Sequence, residues 1–493
     1  MDNGLKTLKR AFGMREAITI TVGTVIGVGL FTLGGNVVGM WGAGVIIATF
    51  IAMAISIYPA LLYAEMSAAL PYAGGTYKYA SLGIGRPFGF LAGWNFVISL
   101  VAVTGGEALA FSFYFRTFLG ALGIKLPVSD VVIACIIIIV FVILSVRGVE
   151  ITGKLQNGFM FFFWGIALVW FLLMMPKIGW SNYVALPDYV DFSGVSMIGG
   201  VALIWWCFAG FETCCAMGEE IKYPHINIPR ALFLAPFIVF AVNGLFQWFL
   251  VGIVPTENLK VISDAAAPYA DAMITAGILG IPLILLSAGI AFGGDFSTLN
   301  SSISVPPRYL FAMARDGSLP AVFAKVHSRF QTPYVAIISL GLFTLLLVGS
   351  GSLIYIGSLS LFADLFYYVI GISAAIFLRR KMPDLKRPYR APLVQVGAPI
   401  SAVIYITMMT QLNRDAIFTG LAWCAGGLIL YEICRKIYGS KGDKELAHVI
   451  MDHEDPPAAE RKKMDREFKV WATIVVLAVV LTIFLYIIPF LVA

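Results

Sequence analysis

Gly23-Thr24-Val25-Ile26-Gly27-Val28-Gly29-Leu30-Phe31 sets three glycines in the middle of an otherwise apolar, helix-forming span. Each glycine weakens a helix interior by roughly 0.5–1 kcal/mol relative to alanine, so three together need a reason. Two readings are open. Gly23 and Gly27 have the small-xxx-small spacing that lets membrane helices pack closely, and the same residues suit a helix that unwinds. Unwound backbone at membrane depth is tolerated only against protein or a water-filled cavity, because bare amides in lipid cost several kcal/mol each. An unwound segment here implies a cavity.

The rest of the chain belongs in lipid. Of its 493 residues, 59% are hydrophobic and only 13% charged, where a soluble domain carries roughly 25% charged residues. Runs such as Val131–Val146 and Val470–Phe490 approach or reach the ~20 residues that span a bilayer. Apolar runs between turn and charge signals predict about thirteen membrane helices. The first ten lie near 15–39, 42–70, 88–118, 128–146, 150–176, 196–221, 230–253, 274–314, 333–350 and 353–380, and three more near 394–412, 416–438 and 469–491. The last is the least secure, so the count is twelve or thirteen. With a cytoplasmic N-terminus, one set of loops collects Lys78, Arg86, Arg147, Lys154, Lys222, Arg230, Arg315, Lys325, Arg329 and the bases between Arg379 and Arg390. The opposite loops hold few bases, so the positive-inside rule favours that orientation in a cell (cytoplasmic) membrane.

Several function classes are disfavoured. The basic N-terminus runs into a glycine-interrupted helix with no cleavage signature, and is read as carrying no removable signal peptide. Cys135, Cys207, Cys214, Cys215, Cys424 and Cys434 sit in or at the ends of apolar segments without C-x-x-C spacing, so neither a disulfide framework nor a metal site is expected. The net charge of +6 is spread over loops and forms no nucleic-acid stripe. All four histidines lie in loops or in the charged segment 439–468, read as a cytoplasmic linker. No nucleophile–histidine constellation for an enzyme and no phosphate-binding loop for ATP-driven transport is visible.

A second break lies five helices on. Trp205-Trp206-Cys207-Phe208-Ala209-Gly210-Phe211-Glu212 carries a glycine and a carboxylate deep in an apolar run. Interrupted helices at matching positions in two halves point to an inverted repeat with its site between them. Free amides at one half-helix end receive an anion and free carbonyls at another receive an ammonium or cation. Together they fit an amino-acid headgroup.

At this point the chain resembles the amino acid–polyamine–organocation superfamily. Gly23 to Phe31 resembles that family's first-helix motif, and Tyr63-Ala64-Glu65-Met66 through Pro71-Tyr72-Ala73-Gly74-Gly75-Thr76-Tyr77 resembles its second-helix signature. Glu219-Glu220-Ile221-Lys222-Tyr223-Pro224 to Arg230 and Ala314-Arg315-Asp316-Gly317-Ser318-Leu319-Pro320 resemble the stretches after helices 6 and 8. The resemblance implies an all-α polytopic membrane protein of LeuT-type fold. Residues 1–380 would form a ten-helix, five-plus-five inverted-repeat core and 381–438 helices 11 and 12, with a further span in 469–493. It implies a permease for L-amino acids working by alternating access, with H+ or Na+ symport or exchange. An amine or polyamine permease, or a channel, is the alternative.

Residue roles follow from the same resemblance. Thr24, Val25, Gly27, Val28 and Gly29 would present backbone groups to the substrate. Val101 and Thr104 would wall the pocket, Trp206, Cys207 and Ala209 would complete it, and Glu212 would be a gate or proton site. Val28 replaces the usual serine of the first motif, which leaves the backbone amide. Phe163 stands where some relatives place a helix 5 lysine, and Lys154 sits near the cytoplasmic mouth instead, which puts a lysine mechanism in doubt.

An aspartate near mid-bilayer is costly unless it has a partner. Asp295 in Gly293-Gly294-Asp295-Phe296-Ser297-Thr298 shares a helical face with Thr298. By resemblance those two, with carbonyls of Gly23 and Ile26, would form a sodium site, and a protonated Asp295 would serve proton coupling instead. Glu107 faces either the cavity or the outer mouth beside Arg116. Glu65 is read as a structural or gate residue, and Arg308 to Arg315 as membrane anchors. Beyond the coupling ion no cofactor is expected, and the partners are a small-molecule amino acid or amine and the bilayer.

Overall fold

The computed structural model describes residues 8, 10–190, 193–349, 353–438 and 454–492. The described chain is helical throughout, with only two isolated bridges and no extended strand. Eight of its helical stretches are long and apolar enough to cross a membrane, and four shorter apolar helices accompany them.

The broken first span consists of α1 (Met14–Val25), one π-helical turn (Gly29–Gly34) and α2 (Gly35–Trp41). After it come α3 (Val45–Ala69), α4 (Gly75–Gly83), α5 (Arg86–Ala121), α6 (Asp130–Val146) and α7 (Val149–Met174). The second broken span is α8 (Gly194–Trp206) with the short α9 (Thr213–Ala216), followed by α10 (Pro224–Ile253) and α11 (Pro268–Thr275). Then come α12 (Ile281–Gly289), a second π-helical turn (Ile290–Asp295), α13 (Phe296–Ser304) and α14 (Pro306–Arg315). The chain closes with α15 (Tyr334–Val348), α16 (Leu353–Lys381), α17 (Val394–Met409), α18 (Arg414–Tyr438) and α19 (Ala458–Val492).

The packing shows why the sequence halves match. The second helices pair, α3 on α10; the fourth helices pair, α6 on α15; and the third helices pair, α5 on α12 to α14. The fifth helix, α7, packs on α1 and on α13. Its counterpart α16 packs on α5 and meets α8 through the Trp205–Tyr368 ring contact. Each closing helix thus touches the broken helix of its own half and the third helix of the other, as two inverted five-helix units require.

Boundaries differ from expectation where loops fold into helix. The amphipathic α4 falls between predicted spans, and α11 is a separate helix, so the eighth span begins at Ile281 rather than near 274. Residues 439–453 of the predicted linker lie outside the described residues. Its remainder is largely helix, because α19 starts at Ala458. Asp465 binds Arg230, and Glu460 accepts from the Tyr223 hydroxyl at 2.9 Å. Farther along, Trp248 Nε1 donates to Leu485 O at 2.9 Å and Tyr486 to Gly244 O at 3.0 Å. These contacts run in the same order on both helices, so α19 lies parallel to α10 along its length.

Candidate substrate site

The first break lies where the sequence puts its glycines. Ile26 leaves the helical region (φ −87°, ψ 84°), and helix resumes only as the π-helical turn at Gly29. Backbone groups freed by unwinding must find partners in a dry interior, and side chains from α5 and α13 supply them. Val28 N–H donates to Glu107 Oε2 at 2.7 Å, and Phe31 O accepts from the Tyr114 hydroxyl at 2.6 Å. The Thr298 hydroxyl lies 2.8 Å from Gly23 O and 3.1 Å from Ile26 O. Side chains packed on the break leave a Cβ no room unless they shift. A Cβ on Gly27 would lie 2.2 Å from Glu107 Oε1 and 2.4 Å from Thr298 Oγ1. On Gly23 it would lie 2.1 Å from both Gln156 Nε2 and Ser297 Oγ. Close packing and unwinding, alternatives in the sequence, occur together.

The second break spans residues 207–212. Gly210 takes φ 98°, a left-handed conformation that side chains disfavour. Its N–H donates to the Tyr368 hydroxyl at 3.0 Å, and that hydroxyl donates to Glu212. The two breaks cross and bind each other: Thr24 and Thr213 hydroxyls lie 3.2 Å apart, and Cys207 Sγ donates to Gly29 O at 3.1 Å.

Between the breaks is a pocket of about 20 Å³ bounded by Thr24, Val25, Gly27, Val28 and Gly29, by Trp206 and Ala209, and by Phe96, Leu100 and Val103 of α5. Its ionisable lining residues are all acids, Glu107, Glu212 and Asp364. A wider cavity of about 620 Å³, lined by Asn36, Asp264, Leu361 and Asn413 among others, opens toward the mouth opposite α1's N-terminus. Val28 and Trp206 border both spaces. Trp206 is held by its Nε1 donating to Ser360 Oγ at 3.2 Å.

The other mouth is sealed by ion pairs. Arg308 forks onto Glu220 at 2.9 and 2.7 Å with both side chains buried, and Glu220 O also receives the Ala11 and Phe12 amides. Arg315 binds Glu219 at 2.6 Å. Lys78 reaches Asp316 at 3.1 Å, and Tyr77 donates to the same carboxylate. Glu65 takes Arg379 at 2.6 Å and Arg387 at 3.3 Å.

Thr24, Val25, Gly27, Val28, Gly29, Trp206, Ala209, Glu107 and Glu212 thus converge on one pocket. Other expected residues sit elsewhere. The pocket stripe of α5 runs through Phe96, Leu100, Val103 and Glu107; Val101 is buried off it, and Thr104 turns to Ser302 Oγ at 2.9 Å. Cys207 packs break on break instead of lining the pocket. Asp295 does not join Thr298 at the Gly23 and Ile26 carbonyls; its carboxyl is set against that of Glu107. Phe163 stacks on Phe246. The polar residue of α7 at this level is Gln156, which donates to Thr19 O at 2.9 Å and Ser297 Oγ at 2.7 Å. Arg308 anchors nothing at the lipid surface, because it is 1% exposed and paired inside. Asp364 was missed, although the reasoning that singled out Asp295 applies to it: it is an acid within an apolar span, here accepting from Ser99 at 2.6 Å.

Comparison with known proteins places this geometry. The profile of the amino acid permease family matches residues 12–431. The chain belongs to the amino acid permease family. Among similar permeases is the branched-chain amino acid permease BcaP of Bacillus subtilis, 25% identical over 87% of this chain and 94% of its own. The serine/threonine exchanger SteT of the same organism is 29% identical over 90% and 99%. The methylthioribose transporter of that organism is 27% identical over 86% and 93%. Glu65, Glu219, Glu220, Arg315 and Asp316 of the sealed mouth lie in the second-helix motif and in the stretches after helices 6 and 8 that carried the resemblance.

Proposed function

We propose that this permease is a secondary active transporter that moves L-amino acids across the cytoplasmic membrane by alternating access, with its N-terminus in the cytoplasm. The asymmetry of the two mouths carries the reading. A wide cavity descends from one side to the crossed helix breaks, and buried ion pairs close the other side. A channel conducts through a continuous path; this arrangement is one end-state of a transporter. The bases concentrated at the sealed mouth support a cytoplasmic placement for it, with the open cavity facing outward. The amide end of the resumed first helix suits a carboxylate, and the carbonyl end of α8 suits an ammonium.

The Thr298 hydroxyl already engages the two carbonyls a sodium ion would use, and Asp295 is set against Glu107. This favours proton symport or exchange over sodium coupling. The all-acid lining favours amines as a second reading of the substrate. The test is counterflow in proteoliposomes loaded with unlabelled L-amino acids, with pH and sodium gradients imposed separately. Saturable uptake that is accelerated by internal amino acid and indifferent to sodium is expected. Linear, non-saturable flux refutes the transporter reading, and counterflow supported only by amines moves the substrate class to the second.

A further inference from the structure

The Val28 N–H is the group suited to a substrate's carboxylate, and a carboxylate of the protein already holds it. Glu107 Oε2 accepts from it at 2.7 Å, while the rest of its carboxyl lies against the Asp295 carboxyl, and the whole side chain is buried in the pocket wall. The Thr298 hydroxyl is also within reach of this carboxylate, and both groups crowd the same face of Gly27. The charged groups around Glu107 are acids: Asp295 from the second π-helical turn, and Glu212 and Asp364 across the pocket. The first break contributes only backbone, and α7 contributes the uncharged Gln156. No Lys, Arg or His is among the described residues that line the pocket.

We propose that Glu107 is a tethered stand-in for the substrate carboxylate and the residue that selects for zwitterions. In the contracted pocket it caps the Val28 amide. An entering amino acid gives its carboxylate to Val28 N–H, and Glu107 turns to the incoming ammonium. Each charge that loses a partner gains another, so the exchange adds no unpaired charge to a low-dielectric site. A carboxylic acid without an amine brings a second anion and nothing to neutralise it. An amine without a carboxylate cannot relieve Glu107 at Val28. This inference rests on the amino-acid reading above and adds the residue that enforces it.

The experiment uses the purified full chain in nanodiscs. The L-amino acid that binds most tightly among the common twenty is compared by equilibrium binding with its des-amino acid and its decarboxylated amine. The wild type is expected to prefer the amino acid over the des-amino acid by roughly tenfold or more, and Glu107→Gln to narrow that gap to about threefold by gaining the des-amino acid. An unchanged ratio, or an equal loss of all three probes by a folded Glu107→Gln protein, overturns the proposal and leaves Glu107 a structural cap. Glu107→Asp keeps the charge but falls short of Val28. It is expected to bind the amino acid at least as tightly as wild type while still rejecting the des-amino acid, and loss of amino-acid binding there overturns the proposal too. Failure of every amino acid to bind the wild type overturns the transporter reading itself, an outcome distinct from binding without discrimination.

Discussion

Gly27→Ala is the substitution whose cost can be worked out most fully. The added carbon would lie 2.2 Å from Glu107 Oε1 and 2.4 Å from Thr298 Oγ1, so both side chains must move. Moving the Thr298 hydroxyl forfeits its one hydrogen bond, shared between the Gly23 and Ile26 carbonyls, about 1 kcal/mol. Displacing Glu107 from Val28 forfeits a charge-assisted bond of about 1.5–3 kcal/mol. Against a total of about 3 kcal/mol, the smaller unfolded-state entropy of alanine returns about 0.5–1 kcal/mol. The net of about 2 kcal/mol corresponds to roughly a thirtyfold loss of affinity or activity. Initial rates of amino-acid uptake by proteoliposomes, normalised to reconstituted protein, measure it. Gly158→Ala on α7, where a new Cβ meets nothing within 4 Å, is the matched control and is expected to leave uptake unchanged. Uptake by Gly27→Ala within a few-fold of wild type would refute the argument that this glycine lets the break close against Glu107 and Thr298.

Other substitutions test the parts around the break. Arg308→Met leaves Glu220 buried without its guanidinium, which costs about 3–5 kcal/mol; the thermal midpoint is expected to fall, and adding Glu220→Leu to recover most of it. Gly210→Ala forces a side chain into the left-handed region at about 1–2 kcal/mol; uptake is expected to drop roughly tenfold while the protein is still made and membrane-inserted. Ending the chain before Ala458 removes α19 and uncovers Trp248 and Gly244 on α10. Lower thermal stability with counterflow retained is expected, because no α19 residue lines either cavity.

Much of the architecture was legible because lipid leaves so few options. Hydropathy located the spans, and glycines inside two of them marked the breaks that the packing of α1, α2, α8 and α9 displays. The helical face each side chain presents was harder to read. A shift of one position along α5 exchanges Val101 and Thr104 for Leu100 and Val103, and only the docking of Glu107 on Val28 fixes that rotation. The pairing of distant charges was also hidden. Glu65, Lys78, Glu219, Glu220, Arg308, Arg315 and Asp316 lie in or beside separate motifs, yet they meet at one mouth. Sequence spacing says nothing about such contacts across hundreds of residues. Asp364 was overlooked because its span, unlike that of Asp295, contains no glycine pair to draw the eye.

The central claim, that the crossed breaks hold the substrate, is tested most directly by thiol labelling in the presence of amino acid. Ala209→Cys places a thiol on the inner pocket, Asn413→Cys places one in the outer cavity, and the wild type gives the background from its own cysteines, of which Cys135 is partly exposed. The account predicts that saturating L-amino acid slows labelling at Ala209→Cys strongly and leaves labelling at Asn413→Cys nearly unchanged. Equal protection at both positions, or none at Ala209→Cys while transport continues, would contradict it.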